Sequence, residues 1–125
     1  MKKYTKSDLG TMEQISKLEN GKAFLHDCLN LTSCEVSLNS VTAGFKVPFS
    51  HVHHQNEEIY IILSGDGIIT VDDEKIPVSS GSCVRVSTGA VRTIENSGTK
   101  QMHFICIQAK ENSLTQFGFG DAVVC

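Results

Sequence analysis

Short apolar or alternating segments, each ended by glycine, serine, asparagine or aspartate, make up most of this chain. Between positions 22 and 108 nine such segments recur with almost no helical periodicity. Strands that are this short and this regularly interrupted by turn residues are typical of a β-sandwich or a β-barrel. The sequence therefore predicts an all-β domain, with strands over residues 22–28, 34–41, 46–53, 57–64, 67–71, 75–78, 82–86, 91–96 and 102–108.

One short helix is expected ahead of the strands. Thr11 is a favourable N-cap residue, and Gln14 stands three residues later, at the reciprocal position of a capping box. The pattern divides the chain into an N-terminal tail with this helix (1–21), a barrel or sandwich (22–110) and a C-terminal tail (111–125). The apolar end of the C-terminal tail could add an edge strand.

The composition argues against several classes of function. The 125-residue chain has a net charge of −3 with scattered lysines and arginines, so no nucleic-acid-binding face is indicated. The longest apolar run, Ile59–Leu63, is far shorter than the roughly 20 residues of a membrane-spanning helix. Residues 1–10 show no signal peptide, and the five cysteines lack CxxC spacing. We therefore expect a cytoplasmic protein with reduced thiols and no nucleic-acid or membrane partner.

A cluster of histidines and glutamates carries most of the chemistry in this sequence. His51, His53 and His54 are followed directly by Glu57 and Glu58. Residues two apart on a strand point to the same side, so His51 and His53 converge, and Glu58 can close on them from the next strand. Two imidazoles and one carboxylate form a facial triad that leaves positions open for water, oxygen or substrate. His54 has the opposite strand parity and is expected at the rim of the site. The alternative interpretation is that the whole cluster is a solvated surface patch.

The spacing around this cluster resembles the first motif of the cupin superfamily. Gly44, His51, His53, Glu58 and Gly65 stand in the order of that motif and at its spacing, apart from one additional residue in the first gap.

A second stretch is similar to the other cupin motif, in which a glycine is followed by PxG, a histidine and an asparagine. The stretch from Gly81 to Asn96 fits every spacing, but Ser87 replaces the proline and Arg92 replaces the metal-binding histidine. The resemblance covers residues 34–108 and is greatest to small, single-domain bacterial cupins.

The resemblance implies a small antiparallel jelly-roll barrel that holds the cluster at its mouth. Strand parity then turns Tyr60 and Ile62 inward beside Glu58. Because the opposite face of this strand is apolar too, we expect another layer to cover it, and we expect a homodimer, since sheet edges favour pairing. That face carries Ile59, Ile61 and Leu63.

Arg92 would stand where the family places a fourth ligand, yet a guanidinium cannot ligate a metal ion. In one interpretation three ligands suffice and Arg92 faces the pocket, where it binds an anionic substrate. In the other, Arg92 pairs with Glu58 and takes the place of the ion. A third option is a substitute ligand, His103, which is excluded from the site if Phe104 and Cys106 point inward.

The function favoured by these observations is a metal-binding cupin. One divalent ion per chain (Zn, Fe, Mn or Ni) is held by His51, His53 and Glu58. Tyr60 and Arg92 face a pocket for a small anionic molecule and are the catalytic candidates. Enzymatic activity is left open, and an enzyme of this kind would be a metal-dependent oxygenase or an isomerase or lyase. The alternative is a metal-free small-molecule sensor or sugar-binding module on the same barrel.

Overall fold

The structure is a computed structural model that describes residues 2–125, and Met1 of the N-terminal tail lies outside this range. Two short helices and nine strands form over these residues. They are α1 (Met12–Ser16), β1 (Lys22–Phe24), α2 (His26–Leu29), β2 (Glu35–Val41), β3 (His51–Val52), β4 (Asn56–Ser64), β5 (Asp66–Val71), β6 (Glu74–Ser79), β7 (Cys83–Val86), β8 (Val91–Asn96) and β9 (Met102–Lys110), with 3₁₀ turns at Glu19–Gly21 and Phe119–Asp121.

The strands form two antiparallel sheets. The order is β1-β2-β9-β4-β7 in the five-stranded sheet and β3-β8-β5-β6 in the four-stranded sheet. Along the chain only β1 and β2, and β5 and β6, are consecutive strands of one sheet, and every other step from one strand to the next changes sheet. Repeated crossing between two packed sheets is the architecture of a jelly roll. The all-β jelly-roll fold expected from the sequence is confirmed.

The hydrophobic core lies between the two sheets. Tyr60 and Ile62 of β4 are buried in it, as strand parity predicted, and Ile69 and Ile94 reach it from the four-stranded sheet. Its buried members are Tyr60, Ile62, Ile69, Val78, Val86, Ile94, Met102 and Phe104. This core fills the interior on one side of the cavity that is described below.

The N-terminal helix begins as expected. The Thr11 hydroxyl accepts a hydrogen bond from the Gln14 backbone N–H (3.2 Å), and the Gln14 side chain accepts one from the Thr11 N–H (2.7 Å). Ile15 is the residue of α1 that is buried. The capping box therefore fixes the start of the helix, and Ile15 anchors it to the barrel.

Three strand predictions need correction. Residues 22–28 are not one strand: β1 ends at Phe24 and α2 begins at His26, because the Glu35 carboxylate accepts the Leu25 and His26 N–H groups (3.2 and 2.9 Å) and turns the chain. Within residues 46–53 only His51–Val52 forms a strand, after a segment that contains Pro48. Residues 111–125, all of which are described, hold a 3₁₀ turn and no edge strand.

The outer face of β4 is not covered by a second layer in the described chain. Ile59 and Ile61 are partly buried and Leu63 is exposed. In register they lie beside apolar residues of β9, since Ile59 is opposite Ile107 and Ile61 is opposite Ile105. Lateral contact within the sheet thus shields part of this face and leaves the rest to solvent.

None of the helices over residues 2–125 is long and apolar enough to cross a membrane.

Gly65 and Gly81 provide a matched test of backbone packing. Both have left-handed φ, +93° and +89°, but an added Cβ would lie 2.8 Å from Met102 Cα at Gly65 and would meet open space at Gly81. We expect Gly81→Ala to cost about 1–2 kcal/mol of unfolding free energy from strain alone. Gly65→Ala should cost about 1–3 kcal/mol more because Met102 is buried and cannot move freely. Urea denaturation of the two variants measures the difference, and equal losses would contradict the clash.

Candidate metal site and cavity

Two short elements bring the histidines to one place. β3 is only two residues long and pairs with β8, with His51 opposite Arg92. His53 follows β3, and its carbonyl accepts a hydrogen bond from the Gly89 N–H (2.9 Å). Glu58 enters from β4 of the other sheet, between Val86 of β7 and Gln108 of β9. The cluster therefore joins the two sheets.

The three expected ligands converge. One donor atom from each of His51, His53 and Glu58 lies within 4.8 Å of the others. The His53 Nε2 atom is 3.2 Å from Glu58 Oε2, and the His51 Nε2 atom is 3.8 Å from Glu58 Oε1. The two imidazole rings meet edge to face, with centroids 5.0 Å apart. Both rings are partly exposed, whereas the carboxylate lies buried beneath them.

The two oxygens of Glu58 have different surroundings. Oε1 accepts a hydrogen bond from the Tyr60 hydroxyl (2.6 Å) and lies 3.6 Å from Arg92 Nε. Burial, reinforced by the Glu58 charge, raises the pKa of Tyr60, so its hydroxyl stays protonated and donates. Oε2 faces His53 instead. Tyr60 therefore orients the carboxylate, with Oε2 towards His53 and Oε1 on the side of His51.

Arg92 does not face the pocket, contrary to one of the sequence-based expectations. Its side chain is 0% exposed and is absent from the cavity lining. Nη2 donates to the Ser87 carbonyl (3.3 Å), while Nε and Nη1 have no hydrogen-bond partner within residues 2–125. The register of β8 points this side chain into the barrel interior, where Glu58 is its ion-pair partner. Arg92 thus acts on the site through Glu58.

Electrostatics favour an uncharged His51. Burial lowers its pKa below 6.5, and the positive charge of Arg92 adds to this effect, although Glu58 opposes it. A neutral imidazole has a free nitrogen lone pair, which is the form that ligates metal ions.

The remaining histidines lie away from the cluster. His103 is on the outer face of β9 because Met102 and Phe104 on either side are buried in the core, and its Nδ1 is 3.1 Å from Ser64 Oγ. It is therefore not a fourth ligand. His54 is exposed and is not part of the cavity lining, and His26 lies in α2 with Nδ1 2.8 Å from Asp27 Oδ1.

The cluster forms part of the lining of a cavity of about 290 Å³. Cys106 points into it from β9, and burial beside Glu58 raises the pKa of this thiol, which therefore stays protonated. Sequence reasoning missed the residues of β1 and of the segment before β3 that line the same cavity. The full lining is Lys22, Phe24, Glu35, Ser37, Asn39, Val47, Phe49, His51, His53, Glu58, Tyr60, Thr93, Ile94, Phe104, Cys106 and Gln108.

Part of the cavity lining can be predicted from the sequence. Lys22 and Phe24 are two residues apart at the start of the first predicted strand, so alternation places them on one face. Nothing local indicates that this face turns towards the cavity, because the pairing of Lys22 with Asn39 and of Phe24 with Ser37 is set by tertiary structure.

The donor set fits a divalent ion. Two neutral nitrogens and a carboxylate oxygen suit Zn²⁺, Fe²⁺, Mn²⁺ or Ni²⁺ better than Ca²⁺, which prefers oxygen ligands alone. The hydrogen bond from Tyr60 to Oε1 is the kind of supporting contact that orients a ligating carboxylate.

Comparison with known proteins identifies the family. Residues 40–108, more than half of the chain, match the family described as Cupin domain. A crystal structure of a cupin protein from Bacteroides fragilis is 42% identical, with a TM-score of 0.88 over 100% of this chain and 99% of that one. An oxalate-binding protein of Thermotoga maritima is 29% identical over 104 residues, 78% of this chain and 85% of that protein.

An uncharacterised protein of Methanocaldococcus jannaschii is 38% identical over 56 residues, which is 45% of each chain. The match thus spans less than half the length of that relative. The motifs around His51 and Arg92, the jelly-roll topology and the family match agree. The chain belongs to the cupin family.

Proposed function

We propose that this cupin binds one divalent metal ion per chain through His51, His53 and Glu58. The observation that carries the proposal is the convergence of three donor atoms within 4.8 Å in the wall of a cavity. Three protein ligands leave coordination positions for water or a ligand, and a bound ion would supply Lewis acidity there.

We further propose that the cavity takes a small anionic molecule. A cation held in its wall attracts an anion, and the cavity volume of about 290 Å³ is at the lower end of the range for small-molecule pockets. The Thermotoga maritima relative is described as oxalate-binding, which supports an anionic ligand for this chain as well.

Enzymatic turnover would use a ligand held on the ion, in oxygenase or in isomerase or lyase chemistry. Tyr60 and Arg92, the catalytic candidates from the sequence, both contact Glu58. We therefore propose positioning roles for both. The site acts in the cytoplasm in this proposal, which is consistent with five free thiols over residues 2–125.

A second candidate function is metal-free binding on the same barrel, of a small molecule or a sugar. The contact between Arg92 Nε and Glu58 Oε1 (3.6 Å) favours it, because a buried guanidinium already supplies positive charge next to the carboxylate. The two candidates differ in whether an ion joins Glu58 in addition to Arg92.

Metal stoichiometry tests the first proposal directly. Untagged protein should bind one Zn²⁺ per chain, and His51→Ala or Glu58→Gln should abolish this binding because each removes a ligand. Tyr60→Phe should weaken it about tenfold, since it removes the hydrogen bond that orients the carboxylate. The control is His54→Ala, which changes an exposed neighbour outside the cluster. Elemental analysis and calorimetric titration provide the measurements. Wild-type protein without metal after aerobic and anaerobic loading would refute the proposal.

Arg92→Met separates the two candidate functions. If an ion binds, this substitution removes a buried positive charge that repels the ion, so it should tighten Zn²⁺ binding about tenfold. In the metal-free alternative, wild-type protein binds no ion and Arg92→Met acquires binding. Arg85→Met is the matched control, because Arg85 Nη1 is also 3.6 Å from a carboxylate, that of Glu57, but is exposed. Calorimetry decides between the outcomes, and weaker Zn²⁺ binding in Arg92→Met would contradict both.

We also propose that two copies pair through the outer face of the five-stranded sheet. Its partly buried apolar residues form two adjacent rows in register, Val36–Ile107–Ile59 and Leu38–Ile105–Ile61. Light scattering should return twice the 13.6 kDa mass of one chain. Ile61→Lys should return a monomer with unchanged circular dichroism, whereas Val91→Lys, an exposed site on the other sheet, should not. A monomeric wild type at micromolar concentration would contradict pairing.

A further inference from the structure

Three exposed side chains that line the cavity are not part of the metal cluster. Lys22 and Phe24 come from β1, and Phe49 comes from the segment before β3. All three line the same cavity as His51 and Glu58, and we call them the mouth residues. β1 belongs to the five-stranded sheet and β3 to the four-stranded sheet, so the mouth residues approach from both layers.

The charge of Lys22 is not neutralised by the protein. Over residues 2–125 no carboxylate lies within 4 Å of its ammonium group. Glu35 is the acidic residue that lines the cavity besides Glu58, but its carboxylate accepts the N–H groups of Leu25 and His26. Burial is the main cause of the lowered pKa of His51, and the positive charge of Lys22 adds to it, so the field of Lys22 reaches the cluster. A cation in this position favours an anion in the cavity.

The two phenylalanines expose large apolar surfaces. Phe24 is 56% exposed and Phe49 is 65% exposed. A single exposed phenylalanine is ordinary, but two exposed aromatic side chains, one from β1 and one from the segment before β3, at one cavity are not explained by the core. Their apolar surfaces can be removed from water by the body of a ligand that enters between them.

We propose that the ligand is an amphipathic carboxylate, with its charged group between Lys22 and the metal cluster and an apolar or aromatic body against Phe24 and Phe49. The inference rests on the proposed function and names its ligand class. Oxalate has two carboxylates and no apolar body, so it would use Lys22 and the ion but leave both rings in water. The cavity of about 290 Å³ equals the volume of about ten water molecules, which leaves room for such a body.

Three probes separate the contributions. Phenylacetate has a carboxylate and a ring, acetate has the carboxylate alone, and 2-phenylethanol has the ring without charge; oxalate serves as the fourth titrant. Ligand-observed NMR measures binding of each to Zn²⁺-loaded wild type. We expect phenylacetate to bind at least tenfold more tightly than acetate, oxalate or 2-phenylethanol, because it alone uses both parts of the site. Phenylacetate binding no tighter than that of acetate or oxalate would overturn the proposal.

Variants assign the two parts of the site. Lys22→Met keeps the aliphatic stem of the side chain. It should weaken phenylacetate binding about tenfold and leave 2-phenylethanol binding unchanged, and Lys22→Arg should restore phenylacetate binding. Lys75→Met, at an exposed position of β6, is the matched control. If Lys22→Met binds phenylacetate as tightly as Lys75→Met does, Lys22 is not the anion-binding residue and the proposal fails.

The aromatic part is tested in the same way. Phe24→Ser and Phe49→Ser should each weaken phenylacetate binding several-fold and leave acetate binding unchanged, because these substitutions remove apolar surface only. The matched control is Phe45→Ser, since Phe45 is 52% exposed and lies outside the cavity lining. Equal losses in all three variants would overturn the aromatic assignment.

Failure of the inference is distinguishable from failure of the proposed function, because Zn²⁺ binding is measured separately in every variant. The mouth substitutions should leave Zn²⁺ stoichiometry at one per chain. If wild type takes up no metal, the metal proposal fails, and the same titrations on metal-free protein still decide the ligand class. Tight phenylacetate binding that depends on Lys22 would then support the inference alone, and its absence would overturn it.

Discussion

The buried carboxylate of Glu58 is the group on which the rest of the site depends. It lies on β4, between strands β7 and β9, and is almost fully shielded from solvent. A charge in that position must be compensated, because an isolated buried carboxylate is strongly unfavourable. Tyr60 and Arg92 provide the compensation from the interior. The same contacts hold the carboxylate beneath the two histidines, so the stability of this part of the core and the geometry of the site have a common cause.

Strand parity explains why much of the fold and the cluster could be predicted from sequence. On β4 the buried positions Glu58, Tyr60 and Ile62 alternate with less buried ones, as the period of two requires. The spacing of His51 and His53 allows two imidazoles to face one side, and the structure brings them to Glu58. The same rule excluded His103 once Phe104 was placed in the core. These are local patterns, and local patterns can be read from sequence.

Features that depend on long-range pairing could not be predicted in this way. The end of β1 at Phe24 depends on the Glu35 carboxylate, which is ten residues from Leu25 and engages its backbone N–H. The position of Arg92 follows from its register opposite His51, and motif spacing alone left its direction open. The mouth residues Lys22 and Phe49 are far apart in sequence and meet only because both sheets border one cavity. In each case the decisive contact joins segments that no periodicity links.

The balance of charge connects the interior of the site to the nature of its ligand. Glu58 and Arg92 form an oppositely charged pair, so a divalent ion added to this pair leaves an excess of positive charge. His51 and His53 contribute none of the compensation, because neutral imidazoles are the ligating form. Lys22 and Glu35, which both line the cavity, carry opposite charges, so the excess positive charge is that of the ion. An anion in the cavity would therefore complete the charge balance of the metal-loaded site. In the ligand complex that we propose, the exposed rings of Phe24 and Phe49 favour anions that carry an apolar body. In this arrangement charge provides the attraction that all small anions share, and burial of apolar surface provides the discrimination among them.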